Sequence, residues 1–265
     1  MPVRSRSLAG AATAAALAVV LAGCGGGTPA AAPEGGVELV NDGRLTTCTS
    51  LPYEPFQFQE GSEIVGFDVE MIDLVAEKLG VTQEIVDTPF EGIESGEAMN
   101  IGQCDVAAAA MTINETREQN FDFSEPYFDA TQALLVRADS GITDPAQLSG
   151  RRVGVQTATT GQEWAEENIR GAELVVYDDL GLLTAAALTG QVDAAVNDNV
   201  PLRDFAEQNP TLTVSAEFDT GEAYGFGVRT GNTALLEAIN ETIATAKADG
   251  TYDRLYEKWI GTAPA

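Results

Sequence analysis

Histidine is absent from the 265 residues, and basic side chains are scarce: 14 Lys and Arg stand against 41 Asp and Glu, a formal charge of -27. Each shortage closes a class of function. Without an imidazole there is no Ser-His-Asp or Cys-His catalysis and no His-ligated zinc. Without a basic surface there is little release of phosphate counterions, which excludes nucleic acid as a partner. Charge-driven docking on an anionic membrane is disfavoured for the same reason. Only three cysteines occur, too few for a four-thiolate metal site. The pattern G-x-x-x-x-G-K-[ST] does not occur, so no P-loop is encoded. No metal and no cofactor is expected. Hydrophobic residues make up 44% of the chain, enough for a core and too many for a disordered protein. At ~150 residues per domain, the length suits one or two lobes.

The first residues read as an address. Arg4 and Arg6 form a short positive region, and residues 8–22 are a run of Ala, Leu and Val that ends in Leu21-Ala22-Gly23-Cys24. The run is shorter than the ~20 residues a membrane-spanning helix needs. Small residues before a cysteine resemble the lipobox of bacterial lipoproteins. That resemblance implies a signal peptide over 1–23, lipidation of Cys24 by diacylglycerol and palmitate, and anchorage to the outer face of the cell membrane. Two or more acyl chains anchor stably. Residues 25–36 read GGGTPAAAPEGG without apolar periodicity, and a flexible tether is expected over 24–43. Removing residues 1–23 leaves 12 basic and 41 acidic residues, a charge of -29.

From Arg44 onward strand-like and helix-like stretches alternate. Residues 45–49, 83–86, 105–110 and 133–136 read as strands, and 67–79 carries apolar residues at helical spacing before Gly80. The same grammar restarts after Ser140. Thr143-Asp144-Pro145 opens a short helix, Thr159-Thr160 caps another through Glu167, and further helices are expected over 180–188, 201–208, 232–248 and 251–259. Strands are expected over 152–156, 174–177, 192–196, 212–214 and 224–228. The pattern predicts an α/β protein of two successive units with mostly parallel strands. A binding cleft belongs between the two, at the carboxyl ends of the strands.

Several segments are more specific: Leu51-Pro52-Tyr53-Glu54-Pro55-Phe56, Gly66-Phe67-Asp68-Val69-Glu70, Ala110-Met111-Thr112 into Asn114-Glu115-Thr116-Arg117, Phe123-Ser124-Glu125-Pro126-Tyr127, Gly150-Arg151-Arg152-Val153-Gly154-Val155 into Thr159-Thr160, Gln191-Val192-Asp193-Ala194-Ala195 into Asp198, and Asp249-Gly250-Thr251-Tyr252. Together, and in this order, they resemble the family 3 extracellular solute-binding proteins, the amino-acid receptors of ABC importers, over about residues 40 to 261. The resemblance implies the type II periplasmic-binding fold, two α/β lobes joined by two hinge crossings. Lobe 1 would hold residues 44–129 and 223–265, and lobe 2 residues 130–222. It implies a monomer that closes over an amino acid outside the cytoplasm and delivers it to the transmembrane subunits of an ABC permease.

A zwitterion entering a closing cleft brings two charges, and each needs a partner, because burying an unpaired ion costs several kcal/mol. By resemblance, Arg117 takes the α-carboxylate, which a guanidinium fork fits with two parallel bonds. Asp198 takes the α-ammonium. Thr112 offers its hydroxyl or amide, Ala110 its backbone, and Thr160 its N–H at a helix start. Tyr53 and Phe90 sandwich the ligand, Ser50 stands where relatives carry a polar or acidic contact, and Phe56 belongs to the same segment as core. Ala158 occupies a place where the common pattern has Gly. Glutamine, glutamate, basic amino acids and compatible solutes all fit this pattern. A cyclohexadienyl or arogenate dehydratase on the same scaffold, or an extracellular sensor, are the rival readings; no catalytic residue is identified.

Cys48 and Cys104 remain as an even pair in an oxidising compartment, which favours a disulfide. Strand geometry opposes it. Cys48 falls late on its strand and Cys104 at the start of its own, an offset of ~13 Å for parallel neighbours at about 3.3 Å per residue. The bond requires the chain before Asp105 to fold back.

Overall fold

Phe67, Met71, Ile72, Val75, Ala76 and Leu79 lie on one side of a 3.6-residue period, and the chain buries that side. In the computed structural model, which describes residues 36–261, the segment is helix α1 (Phe67–Leu79), stopped by Gly80 at φ 68. Left-handed backbone there returns two amide bonds to the last turn. The helix starts at Gly66, whose φ is 136 and whose absent Cβ would stand 2.2 Å from the carbonyl oxygen of Phe56. Only glycine lets the two backbone segments approach so closely. The signal segment 1–23, Cys24 and residues 25–35 lie outside the described residues. The expected tether over 24–43 is corrected at its carboxyl end. Val37 is buried in the core, and the Val40 amide donates to buried Asp105 at 2.6 Å, so residues 37–43 are part of the fold.

The first sheet is built from β1 (Arg44–Thr49), β4 (Thr82–Asp87), β5 (Val106–Ala107), β6 (Asp122–Phe123) and β12 (Gly227–Val228), in the order β4-β1-β5-β12-β6. The second contains β7 (Phe128–Arg137), β8 (Arg152–Gln156), β9 (Glu173–Tyr177), β10 (Ala194–Asp198) and β11 (Leu212–Tyr224), in the order β11-β7-β10-β8-β9. A separate hairpin pairs β2 (Phe58–Glu60) with β3 (Glu63–Val65). Each large sheet has a parallel trio, β4-β1-β5 or β9-β8-β10. Each then accepts an antiparallel strand, β12 or β7, that carries the chain between the sheets. The expectation of mostly parallel strands is thus corrected: these inserted strands make half of the pairings antiparallel. This is the type II periplasmic-binding arrangement of two α/β lobes.

Helices cover both faces of each sheet. In the first lobe α1, α7 (Thr233–Asp249) and α8 (Thr251–Trp259) pack together on one side. The other side is closed by α2 (Phe90–Glu94) and α3 (Glu97–Asn100), which bury Phe90, Ile93, Ala98 and Met99 around Cys48, Met111 and Phe121. In the second lobe α5 (Leu180–Thr189) and α6 (Asn199–Gln208) lie on one face. The short α4 (Thr160–Asn168) lies on the other, with Ala165 inside the core. Asn232 precedes α7 as expected but makes no side-chain cap. The two crossings run side by side: Tyr224 pairs with Phe128, and Thr112 bridges to Tyr224. Aromatic rings fill this junction. Phe56, fully buried, meets Phe128 edge-on at 4.9 Å and Tyr224 at 5.3 Å, and Tyr127 stacks on Phe226 at 4.1 Å.

The expected strand over 105–110 is only two residues long, although all six residues are buried. The chain leaves α3 through a turn at Gly102, φ 74, and re-enters beside β1 where Asp105 N–H donates to Thr46. That turn removes the offset argued from straight strands. Cys48 and Cys104 have Cα atoms 5.7 Å apart and are bonded.

Candidate functional site

The carboxyl ends of β1, β5, β8 and β10 face one another across the gap between the sheets. They border a narrow cavity of about 20 Å³, close to the room of one water. Ser50, Tyr53, Phe90, Ala110, Thr112, Arg117, Thr160 and Asp198, all eight residues singled out in the sequence, line it. Gln57, Ala109, Gln156 and Thr159 complete the wall. The last four were missed. Thr159 was read only as a cap, which it is, accepting from the Gln162 amide at 3.1 Å. Gln57 directly follows the Pro-Phe pair at a fully buried position, and no periodic signal separates it from core.

Arg117 stands in a single 3-10 turn, Arg117–Gln119, and only 3% of its surface is exposed. Its Nη1 donates to the Thr112 carbonyl at 2.9 Å and its Nη2 to the Ala158 carbonyl at 3.1 Å, so one guanidinium spans both lobes. The Phe90 ring lies 5.3 Å from its carbon, and Glu94 is 3.8 Å from its Nε. Burial lowers the pKa of Arg117, opposed by Glu94, Asp198, Glu163 and Glu222. A guanidinium keeps its proton through such shifts.

Asp198 ends β10 and is 7% exposed. The Tyr53 phenol lies 2.7 Å from its Oδ2, Tyr224 donates to the same oxygen, and Gln132 Nε2 donates to Oδ1 at 2.6 Å. Burial, and then the nearby Glu222 carboxylate, push Asp198 up to about 6 despite these three donors. Asp198 also occupies the N-cap position of α6 but makes no side-chain cap there, leaving the carboxylate turned to the tyrosines. Tyr53 reaches it from the first lobe, a second polar tie across the gap.

Two lining or neighbouring alanines hold left-handed backbone. Ala110 has φ 46 and Ala158 φ 61, a conformation that costs an L-residue of order 1–3 kcal/mol. Ala110 is held there by Asp68, which is fully buried and accepts from the Ala110 amide at 2.8 Å and from Tyr127 at 2.6 Å. Burial pushes the Asp68 carboxyl up to about 7. Ala158 turns its carbonyl onto Arg117. The glycine usual at that place has the physical reason that the backbone there must be left-handed.

Gln132 and Glu222 were also missed. Both lie at the crossings, Gln132 on β7 and Glu222 on β11, and both belong to long strands whose alternation gives no functional signal. Among the described residues no cluster of three or more His, Cys, Asp or Glu could hold a metal. No described helix is long and apolar enough to cross a membrane.

Comparison with known proteins agrees with the architecture. Residues 45–262 match the model of the bacterial extracellular solute-binding proteins, family 3. An L-cystine-binding protein of Escherichia coli strain K12 is 33% identical over 235 residues, covering 87% of this chain and 88% of its own length. The glutamine-binding protein of an ABC transporter of Bacillus subtilis is 31% identical over 207 residues, covering 77% and 75%. Among solved structures, an ancestral arginine-binding protein bound to glutamine has 38% identity and a TM-score of 0.78, covering 83% of this chain and 98% of its own. The shared fold, the length of the match and the level of identity lead to one conclusion: this chain belongs to the family 3 bacterial extracellular solute-binding proteins.

Proposed function

We propose that the protein is the receptor of an amino-acid ABC importer. It captures a polar amino acid by closure of its two lobes, residues 44–129 with 223–265 and residues 130–222, and hands it to the permease. The observation that carries this reading is that a buried guanidinium from one lobe and a buried carboxylate from the other line the same narrow cavity between the sheets. Arg117 receives the α-carboxylate together with the first-turn amides of α4, and Asp198 receives the α-ammonium. Tyr53 and Phe90 hold the ligand's apolar part, and Ser50, Ala110, Thr112 and Thr160 supply polar contacts. The protein acts as a monomer outside the cytoplasm, held to the membrane by lipid on Cys24. It binds rather than catalyses, and assay with prephenate is expected to show no turnover.

Binding a ligand only in the native state raises stability by RT ln(1 + [L]/Kd), about 2.7 kcal/mol at a hundredfold excess over Kd. A thermal-shift screen against the common amino acids is therefore the test. One or a few polar amino acids are expected to raise the melting temperature by several degrees. A flat response across the whole panel would defeat the reading.

A further inference from the structure

Glu222 belongs to none of the sequence motifs and lines no wall of the cavity, yet it touches two of the hydroxyls that do, one from each lobe. Its Oε2 accepts from Thr112 Oγ1 and from Thr160 Oγ1, each at 2.9 Å. Thr112 comes from the first lobe, and Thr160 opens α4 in the second. A threonine hydroxyl has one proton and two lone pairs, whereas a carboxylate accepts and never donates. Both hydroxyl protons are thus committed to Glu222, and what remains for the cavity is lone pairs. Gln132 extends the pattern. Its Nε2 lies 2.6 Å from Asp198 Oδ1, 3.1 Å from Glu222 Oε2 and 3.3 Å from Thr160 Oγ1, so its amide protons are taken up by these acceptors.

Glu222 reaches this place through an irregularity. On the β11–β7 ladder Phe218 pairs with Gln132 and Glu222 with Ala130, so β11 advances four residues while β7 advances two. Such a bulge re-aims a side chain, and here it turns the carboxylate onto the junction of the two crossings.

We propose that Glu222 is a specificity-determining residue that fixes the polarity of the site. By drawing both hydroxyl protons it makes Thr112 and Thr160 acceptors, which join Asp198 in receiving a primary ammonium. A primary ammonium brings three N–H donors to these three groups. A quaternary ammonium brings none, and an α-hydroxyl brings one and no charge. The inference rests on the amino-acid reading above and names what its ligands share: a carboxylate with a free primary α-ammonium. Betaine-type solutes and α-hydroxy acids are refused.

The test is calorimetric titration of wild type, Glu222→Gln and Thr160→Val with L-arginine, L-glutamine and L-cystine. Each protein is also titrated with the α-hydroxy acid and the Nα-trimethyl betaine of whichever amino acid wild type binds tightest. Wild type is expected to prefer the amino acid at least a hundredfold over either analogue. Glu222→Gln removes the charge and replaces one acceptor oxygen by an N–H donor at unchanged size, so the hydroxyls no longer face an acceptor-only partner. The amino-acid to hydroxy-acid ratio is then expected to fall tenfold or more, with the melting temperature little changed. Thr160→Val is expected to lower the ratio in the same direction, by less. An unchanged ratio in Glu222→Gln, with both ligands weakened alike, would reveal a merely structural tie and overturn the inference. So would a wild-type protein that takes the betaine as readily as the amino acid. Should Glu222→Gln fail to fold, an unchanged ratio in Thr160→Val overturns it. Loss of binding to all three amino acids in wild type would instead remove the receptor reading, and this inference with it.

Discussion

Arg117 and Asp198 are the two buried charges of the cavity, and their surroundings make them respond differently to change. Arg117 holds two carbonyls from different lobes through separate nitrogens, a geometry set by the planar fork. Lysine keeps the charge and loses the fork. Arg117→Lys is expected to weaken amino-acid binding about a hundredfold by calorimetry, in line with ~1.5–3 kcal/mol for each charged hydrogen bond lost. Asp198 is the pH-dependent partner. Its pKa is raised from 3.8 to about 6, so the folded protein without ligand holds that proton more tightly than the unfolded chain. The resulting stabilisation is present in acid and is lost as pH rises from about 4 through 6. Affinity runs the other way, because an ammonium needs the ionised carboxylate. Binding is expected to weaken about tenfold per pH unit below 6 and to level off above it, while Asp198→Asn abolishes the slope. Titrations at pH 5 and 7.5 check both. These two residues were legible because their motifs are local. Gln132 and Glu222 were not, because each acts through a partner on a different strand, and no spacing along the chain records that.

At the level of elements, agreement with the sequence follows the strength of local punctuation. Helix α1 was legible to the residue because Gly66 and Gly80 bracket an unbroken 3.6-residue pattern. Strand β11 was not. Only residues 212–214 were expected, while the strand runs to Tyr224, because the exposed Glu217, Asp219 and Gly221 and the half-buried Thr220 carry no apolar alternation. The short α2 and α3 and the β2–β3 hairpin are held by tertiary packing and left no periodic trace. The turn at Gly102 also left no periodic trace, and it precedes the segment that sets Cys104 beside Cys48. The bond ties β1 to the segment between α3 and β5 across a separation of 56 residues. Closing a loop of that size restricts the unfolded chain by about 4 kcal/mol in the chain-entropy account. For a domain of more than 150 residues each kcal/mol moves the midpoint by about 2–4 °C. Cys104→Ser, or reductant, is expected to lower the melting temperature by about 10 °C. The denatured, unreduced protein is expected to show no free thiol at Cys48 or Cys104.

For the molecule as a whole, polar ties between lobes are concentrated at the cavity, and an apolar contact closes the rim. Gly181, in the first turn of α5, lies against Pro52 of the first lobe; a Cβ there would meet Pro52 Cγ at 3.0 Å and Asp179 Oδ1 at 3.2 Å. Gly181 has a helical backbone that any residue adopts, so a larger side chain wedges the rim and asks the Asp179 cap to give by a few tenths of an ångström. Gly181→Leu is expected to bind the cognate amino acid at least tenfold more weakly and to scatter X-rays with a larger radius of gyration, its melting temperature without ligand lowered by no more than a few degrees. Equal affinity would show that the rim contact does not govern closure. Two-lobe architecture was readable from the restart of strand–helix alternation after Ser140. The strands that link the sheets were expected, over 133–136 and 224–228, but their antiparallel pairing was not, because direction is set by partners from the other half of the chain.

The two surplus residues between Phe218 and Glu222 make the placement of one carboxylate depend on local strand length. Pairing resumes at Glu222 with Ala130, so removing both residues would leave the rest of the ladder in register while taking away the bend beneath Glu222. Loss of both is therefore expected to part residue 222 from Thr112 and Thr160 without disturbing the scaffold.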